Sequence, residues 1–223
     1  QQKVNKDHLR LTGIVGLRMK HLRQYIRQIL TESINPKIMS MIDKLESGQF
    51  IDVKVHVDLD IPGGRDSGQI LITGSEVTDD KRDLELARVS WEKASGRHKN
   101  YLGDCSGAYV VEGSRAMYGL GPLAYELAIE VTGGLIADRL SVSDEAIAVW
   151  NYYAKSRPDI EVVQLDNLKN ELTDDDFDNC DQDVALYDLL TPDNQWIPSS
   201  LSKMYRKSGT PVMDELRKRG MLE

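Results

Sequence analysis

The sequence predicts a mixed α/β (α+β) protein, and three observations carry that reading. Apolar residues recur at helical spacing over 22–30 and 38–45, they alternate with polar ones from Ile51 to Leu59, and a Gly-x-Gly turn stands between a strand and a helix near 119–123. At 223 residues, with 40% hydrophobic and 29% charged side chains, the chain suits one large folded domain with an appended arm. We divide it into a basic helical arm (1–48), a core (49–165), and an acidic loop with a C-terminal tail that packs on the core or a partner (166–223).

The arm stands out by charge. Residues 1–37 carry eight basic side chains against Asp7 and Glu32, giving +6; since the whole chain is −8, the remainder carries −14. Such an arm attracts negative potential, whether its own acidic body, an acidic partner or another copy. Nucleic acid is not expected, because an acidic body would repel the phosphate backbone. Within the arm, Leu22, Tyr25, Ile26, Ile29 and Leu30 share one helix face; Asn35-Pro36 then restarts a helix whose stripe is Ile38, Met41, Ile42 and Leu45, stopping at Gly48.

From Ile51 the period becomes two: Ile51, Val53, Val55, Val57 and Leu59 alternate with polar residues, which leaves His56 on the polar face. Residues 62–68 (PGGRDSG) form a turn by composition, and Gln69–Thr73 returns as the hairpin partner. A third strand is expected over 107–112. It leads to Gly119-Leu120-Gly121-Pro122-Leu123, where proline suits the first helical turn and Gly133-Gly134 stops the helix. Strand, glycine turn and helix amino terminus in succession converge backbone N–H groups on a site suited to pyrophosphate. Side chains are absent at the glycines so that phosphates can approach the backbone. No GxxxxGK[ST] occurs, which excludes a P-loop; Gly119, Gly121 and Ala124 fit a dinucleotide fingerprint only formally, since the expected strand ends near Glu112.

These residues resemble the GNAT acyltransferase superfamily, and in particular GNAT-like proteins encoded by tailed bacteriophages. The order of helices, hairpin, strand, G-x-G turn and two further helices is similar over roughly residues 51 to 165. The resemblance implies a mixed, mostly antiparallel sheet flanked by helices. It implies acetyl-CoA held by Val111, Arg115, Gly119, Leu120, Gly121, Pro122 and Leu123, with an unidentified amine as acceptor. The family motif places Gln or Arg three residues before the first glycine; that position is Ala116, with Arg115 displaced by one. The family tyrosine that protonates the leaving thiolate falls on Trp150, whose indole N–H is too weak an acid, so Tyr152 and Tyr153 become the candidates. Glu112, with Asp104 behind it, is the candidate base. The rival expectation is a GNAT-like body that has lost catalysis and serves as a virion structural protein, its basic arm binding virion partners or a second copy. The expected location is the host cytoplasm or the virion.

Other features carry less. Cys105 and Cys180 make no disulfide framework or zinc knuckle, Cys105 is expected to be an inert thiol, and the four histidines lack ligand spacing, so no metal site is expected. The aspartate-rich run 174–183 reads as a solvated loop: an EF-hand from Asp174 would need glycine at Asn179 and glutamate at Ala185. Residues 196–205 and a short helix over 212–219 supply packing or interface residues. The chain has no apolar run of membrane-spanning length and no signal-peptide pattern behind its first basic residues.

Overall fold

The computed structural model describes residues 34–59, 67–76, 83–93, 109–138, 142–165 and 199–223. The first helix of the arm, Asp104, Cys105, residues 62–66 of the turn expected over 62–68, and the acidic run with Cys180 lie outside the described residues; Ser67 and Gly68 of that turn open a strand.

Helix α1 (Pro36–Glu46) starts where Asn35-Pro36 predicts. The Asn35 Oδ1 accepts the Lys37 N–H at 3.0 Å, proline occupies the first turn, and Ile38, Ile42 and Leu45 are buried on one face. Four antiparallel strands follow: β1 (Phe50–Leu59), β2 (Ser67–Glu76), β3 (Asp83–Lys93) and β4 (Tyr109–Ala116). Then come α2 (Gly121–Thr132), the two-residue β5 (Leu135–Ile136), α3 (Asp144–Ser156), β6 (Glu161–Gln164), a 3-10 turn (Ser200–Ser202), β7 (Lys203–Arg206) and α4 (Pro211–Lys218). The described strands form one seven-stranded sheet, in the order β1-β2-β3-β4-β5-β7-β6, with β4–β5 the parallel pair among them. The mixed, mostly antiparallel α+β class is therefore the fold.

The sheet has a thick and a thin side because adjacent residues of a strand face opposite ways. Val111 and Leu135 join the main core under α1, α2, α3 and α4, while Val110 and Ile136 join a small cluster with Leu165 and Met204. Gly68 belongs to the tightest packing: a Cβ there would come within 2.7 Å of both Trp91 and the Asp58 carbonyl oxygen. At the β1 edge the final residues add a parallel bridge, with the Val55 N–H donating to Met221 O and the Glu223 N–H to Val55 O.

Two sequence expectations change. The strand expected over 107–112 continues to Ala116, so it reaches the glycine turn. Its last residues look polar because that stretch has β3 on one side and no strand on the other: β5 pairs only with Tyr109 and Val110. The tail also does more than pack on the sheet, since β7 lies inside it between β5 and β6. Strand β3 escaped notice for a definable reason. The register passes from Ile72↔Ala87 to Thr73↔Glu85 and skips Leu86, a bulge. The buried set then shifts from Leu86 to Ala87, Val89 and Trp91, and no single alternation spans the strand.

Candidate active site: a cleft at the amino terminus of α2

Beyond Val110, β4 loses its neighbour on the β5 side, and the amino-terminal ends of α2 and α3 approach the edge left open. The result is a cleft of two adjoining lobes that share Ser114, Tyr125, Ser143 and Ala146 as walls. The inner lobe, about 200 Å³, is lined by Val111, Glu112, Asp138 and Trp150 among others. The outer lobe, about 330 Å³, adds Arg88, Arg115, Gly121 and Glu145.

The glycine turn forms one boundary. Tyr118 and Gly119 both take positive φ, +54° and +76°, and the Leu120 N–H closes the turn onto Met117 O at 3.0 Å. A tyrosine in that conformation is strained by roughly 1–2 kcal/mol. Three contacts hold it: Lys44 Nζ donates to its carbonyl oxygen at 2.9 Å, its hydroxyl donates to Glu76 Oε1 at 2.6 Å, and its ring meets Phe50 edge-on at 5.0 Å. The bond to Glu76 also raises the Tyr118 hydroxyl above its ordinary pKa. Helix α2 then begins with no side-chain cap and no acid in its first turn. Its opening donors, the N–H groups of Gly121 and Leu123, have no partner within the helix. Leu120 and Leu123 are fully buried, backbone included, and line neither lobe, so of this turn only Gly121 faces the cleft. A Cβ on Gly121 would meet Ala116 and Val149 at an ordinary 3.6 Å, and both line the outer lobe. Packing within the protein therefore does not demand glycine at 121, and its bare backbone leaves room on the cleft side.

Glu112 is the residue skipped between Ser90↔Gly113 and Trp91↔Val111, a second bulge, and it stands exposed at the inner lobe near Asp138. Bulges beside a site re-aim a side chain that regular pleating would bury. Of the other candidates, Val111 and Arg115 line the cleft and Pro122 opens α2. Tyr152 and Tyr153 line neither lobe. Tyr152 donates to Asn35 Oδ1 at 3.1 Å under Lys37, whose Nζ sits 4.2 Å from the ring centre. Tyr153 is fully buried beneath the turn, donating to Pro122 O at 2.6 Å and lying 3.1 Å from Glu126 Oε2. Burial, with the Glu126 charge adding to it, pushes its hydroxyl well above the usual tyrosine pKa.

Sequence reasoning missed Tyr125. It stands four residues after Gly121 on the same face of α2, a spacing that alone brings both to one cleft. Its hydroxyl donates to Ser114 Oγ at 3.0 Å on the wall shared by the two lobes. Burial raises its pKa, Ser114 opposes the shift, and the Asp138 charge adds to it. It also missed the ions behind the cleft. Arg157 binds Glu126 through Nη1 and Nη2 at 2.6 and 2.7 Å, and binds Asp159 at 2.8 and 2.6 Å. Lys207 Nζ joins Glu126 and Glu130 at 2.5 and 2.7 Å, and Glu130 accepts the Val212 and Met213 N–H groups that open α4.

Compared with known proteins, the chain matches no family model, no curated protein and no solved structure. No helix among the described residues is long and apolar enough to cross a membrane, and no group of three or more metal-ligating side chains gathers there.

Proposed function

We propose that the chain is a GNAT-like, acyl-CoA-dependent N-acyltransferase that transfers an acetyl group to an amine. One observation carries the reading: the cleft opens between the uncapped amino terminus of α2 and the unpaired edge of β4, with Gly121 facing it. The sequence resemblance supports it in outline, since a helix, antiparallel strands, the glycine turn and a helix follow in that order, with β3 added to the expected hairpin and strand. The residues present suit the carrier, because Gly121 leaves space where a side chain would intrude and places the positive end of α2 at the lobe, which favours phosphate. Acyl-coenzyme A, when bound, supplies the acyl group activated as a thioester. Glu112 accepts the proton of the acceptor amine, whose nitrogen bonds the acyl carbon as the carbon–sulfur bond breaks. Backbone N–H groups along the open edge of β4 polarise the carbonyl oxygen. Tyr125 Oη, rather than Tyr152 or Tyr153, gives its proton to the departing sulfur; burial keeps that proton in place until then.

Calorimetric titration of acetyl-CoA is the test. We expect micromolar binding, about −8 kcal/mol, abolished in Gly121→Val while the melting transition is retained. Absence of heat with the wild-type protein would overturn the reading. The second reading, a virion structural protein with a degenerate site, is favoured by one observation: Trp150, at the family tyrosine position, is buried and stacked on Tyr205 at 4.9 Å. It predicts that deleting residues 1–33, which spares the Asn35 cap of α1, abolishes binding of virion partners or of a second copy.

A further inference from the structure

The two strands beside the outer lobe set Arg88 of β3 directly opposite Arg115 of β4, and both side chains line that lobe. Like charges directly opposite on an antiparallel pair repel, so such a pair costs stability unless something negative lies across it. The described residues supply only part of that charge. Glu85 Oε2 meets Arg88 Nη2 at 2.5 Å, whereas no acid pairs with Arg115 among the described residues. Glu145, the acid lining the same lobe, is engaged by its own backbone N–H and by Ser143 at the amino terminus of α3. Gly121, at the first turn of α2, lines this lobe too, which adds a positive helix end to the two guanidinium groups. Among the described residues, the ionisable groups that line the inner lobe are instead Glu112, Asp138 and Tyr125.

We propose that Arg88 and Arg115 act as a pair that selects the phosphorylated form of the acyl carrier, reading its phosphate groups while the inner lobe holds the uncharged thioester arm. The assignment rests on the acyltransferase reading of the cleft. Arginine suits the task because its planar fork donates two parallel hydrogen bonds to one phosphate.

The test titrates coenzyme A, pantetheine and inorganic pyrophosphate into the wild-type protein, Arg88→Gln and Arg115→Gln, each at low and high salt. The proposal expects each variant to bind coenzyme A and pyrophosphate about tenfold more weakly, one charge-assisted hydrogen bond, with pantetheine affinity unchanged. Added salt should weaken coenzyme A binding in the wild type more than in either variant. Unchanged coenzyme A affinity in Arg88→Gln, or an equal loss for pantetheine, overturns the pair. Two wild-type outcomes separate this idea from the one beneath it. Pyrophosphate binding that depends on both arginines, without any binding of coenzyme A or pantetheine, keeps the anion pair and overturns the acyltransferase reading. Binding of none of the three overturns both.

Discussion

At its first turn α2 has backbone donors that no side chain caps; one and two turns later the same helix carries Glu126 and Glu130, which accept three hydrogen bonds each from Arg157, Lys207 and the backbone of α4. The two regions share one segment of backbone and differ in what satisfies them. A buried carboxylate is tolerable only when its partners are complete, so Arg157, Lys207, Asp159 and Tyr153 close around the pair. An N–H group at the edge of a cleft can be satisfied by water, and therefore also by a ligand that displaces water. Completeness marks the part of α2 that holds the fold together, and the open first turn marks the part available for binding. Glu130 extends the contrast: α4 has no cap from its own Thr210, and the carboxylate on α2 supplies one to Val212 and Met213.

The widest separation of the two regions should come from Arg157→Met. It leaves Glu126 and Asp159 buried without their bidentate partner, and we expect a loss of about 3–5 kcal/mol in urea denaturation. A loss below about 1 kcal/mol would mean the cluster is not closed, and the comparison would collapse. Next come the two glycines. Gly68→Ala puts a Cβ within 2.7 Å of Trp91 and a carbonyl oxygen, for a cost of about 1–3 kcal/mol. Gly121→Ala meets only ordinary contacts and, in a helix, should leave stability unchanged or slightly raised while weakening coenzyme A.

Acidification sharpens the contrast by sign. At Asp159, burial opposes ionisation but the Arg157 bonds prevail, holding the carboxyl below its ordinary 3.8. Its contribution is therefore complete above that value and is lost as pH falls through the depressed one. Asp159→Asn should be less stable than wild type at neutral pH, with the gap narrowing below pH about 3.8 in pH-resolved denaturation. Glu130 runs the other way: burial raises its carboxyl from 4.5 despite Lys207 and two backbone donors. Its ionisation costs stability as pH rises from that value. The smallest effect belongs to Tyr118→Phe, which removes an exposed bond to Glu76 and should lower the melting temperature least of these variants, since Lys44 and Phe50 still hold the turn.

Helix α1, the first hairpin and α2 were legible because each is written in a local period: Ile38, Ile42 and Leu45 on one helix face, Val53, Val55 and Val57 along a strand. Part of the candidate site was legible for the same reason, since Gly119, Gly121 and Glu112 are adjacent in sequence to the turn they surround. Tyr152 and Tyr153 were legible as helix residues, but their direction depends on the roll of α3 against α1 and α2. The alternation in the sequence cannot report that roll.

The sequence by itself determined the α+β class, the place of the glycine turn and the start of α1 and α2, because backbone preference and hydrophobic periodicity act over a few residues. Tertiary structure alone decided the rest. Strands β5 and β7 are too short to announce themselves and exist through pairing across about 70 residues, Leu135 with Tyr205. The bulges at Leu86 and Glu112 shift which residues face the core. Glu126 and Glu130 look like misplaced charges in an apolar helix until Arg157 and Lys207 arrive from distant segments. A buried charge is stabilised by groups that share its space, and only the folded chain puts them there.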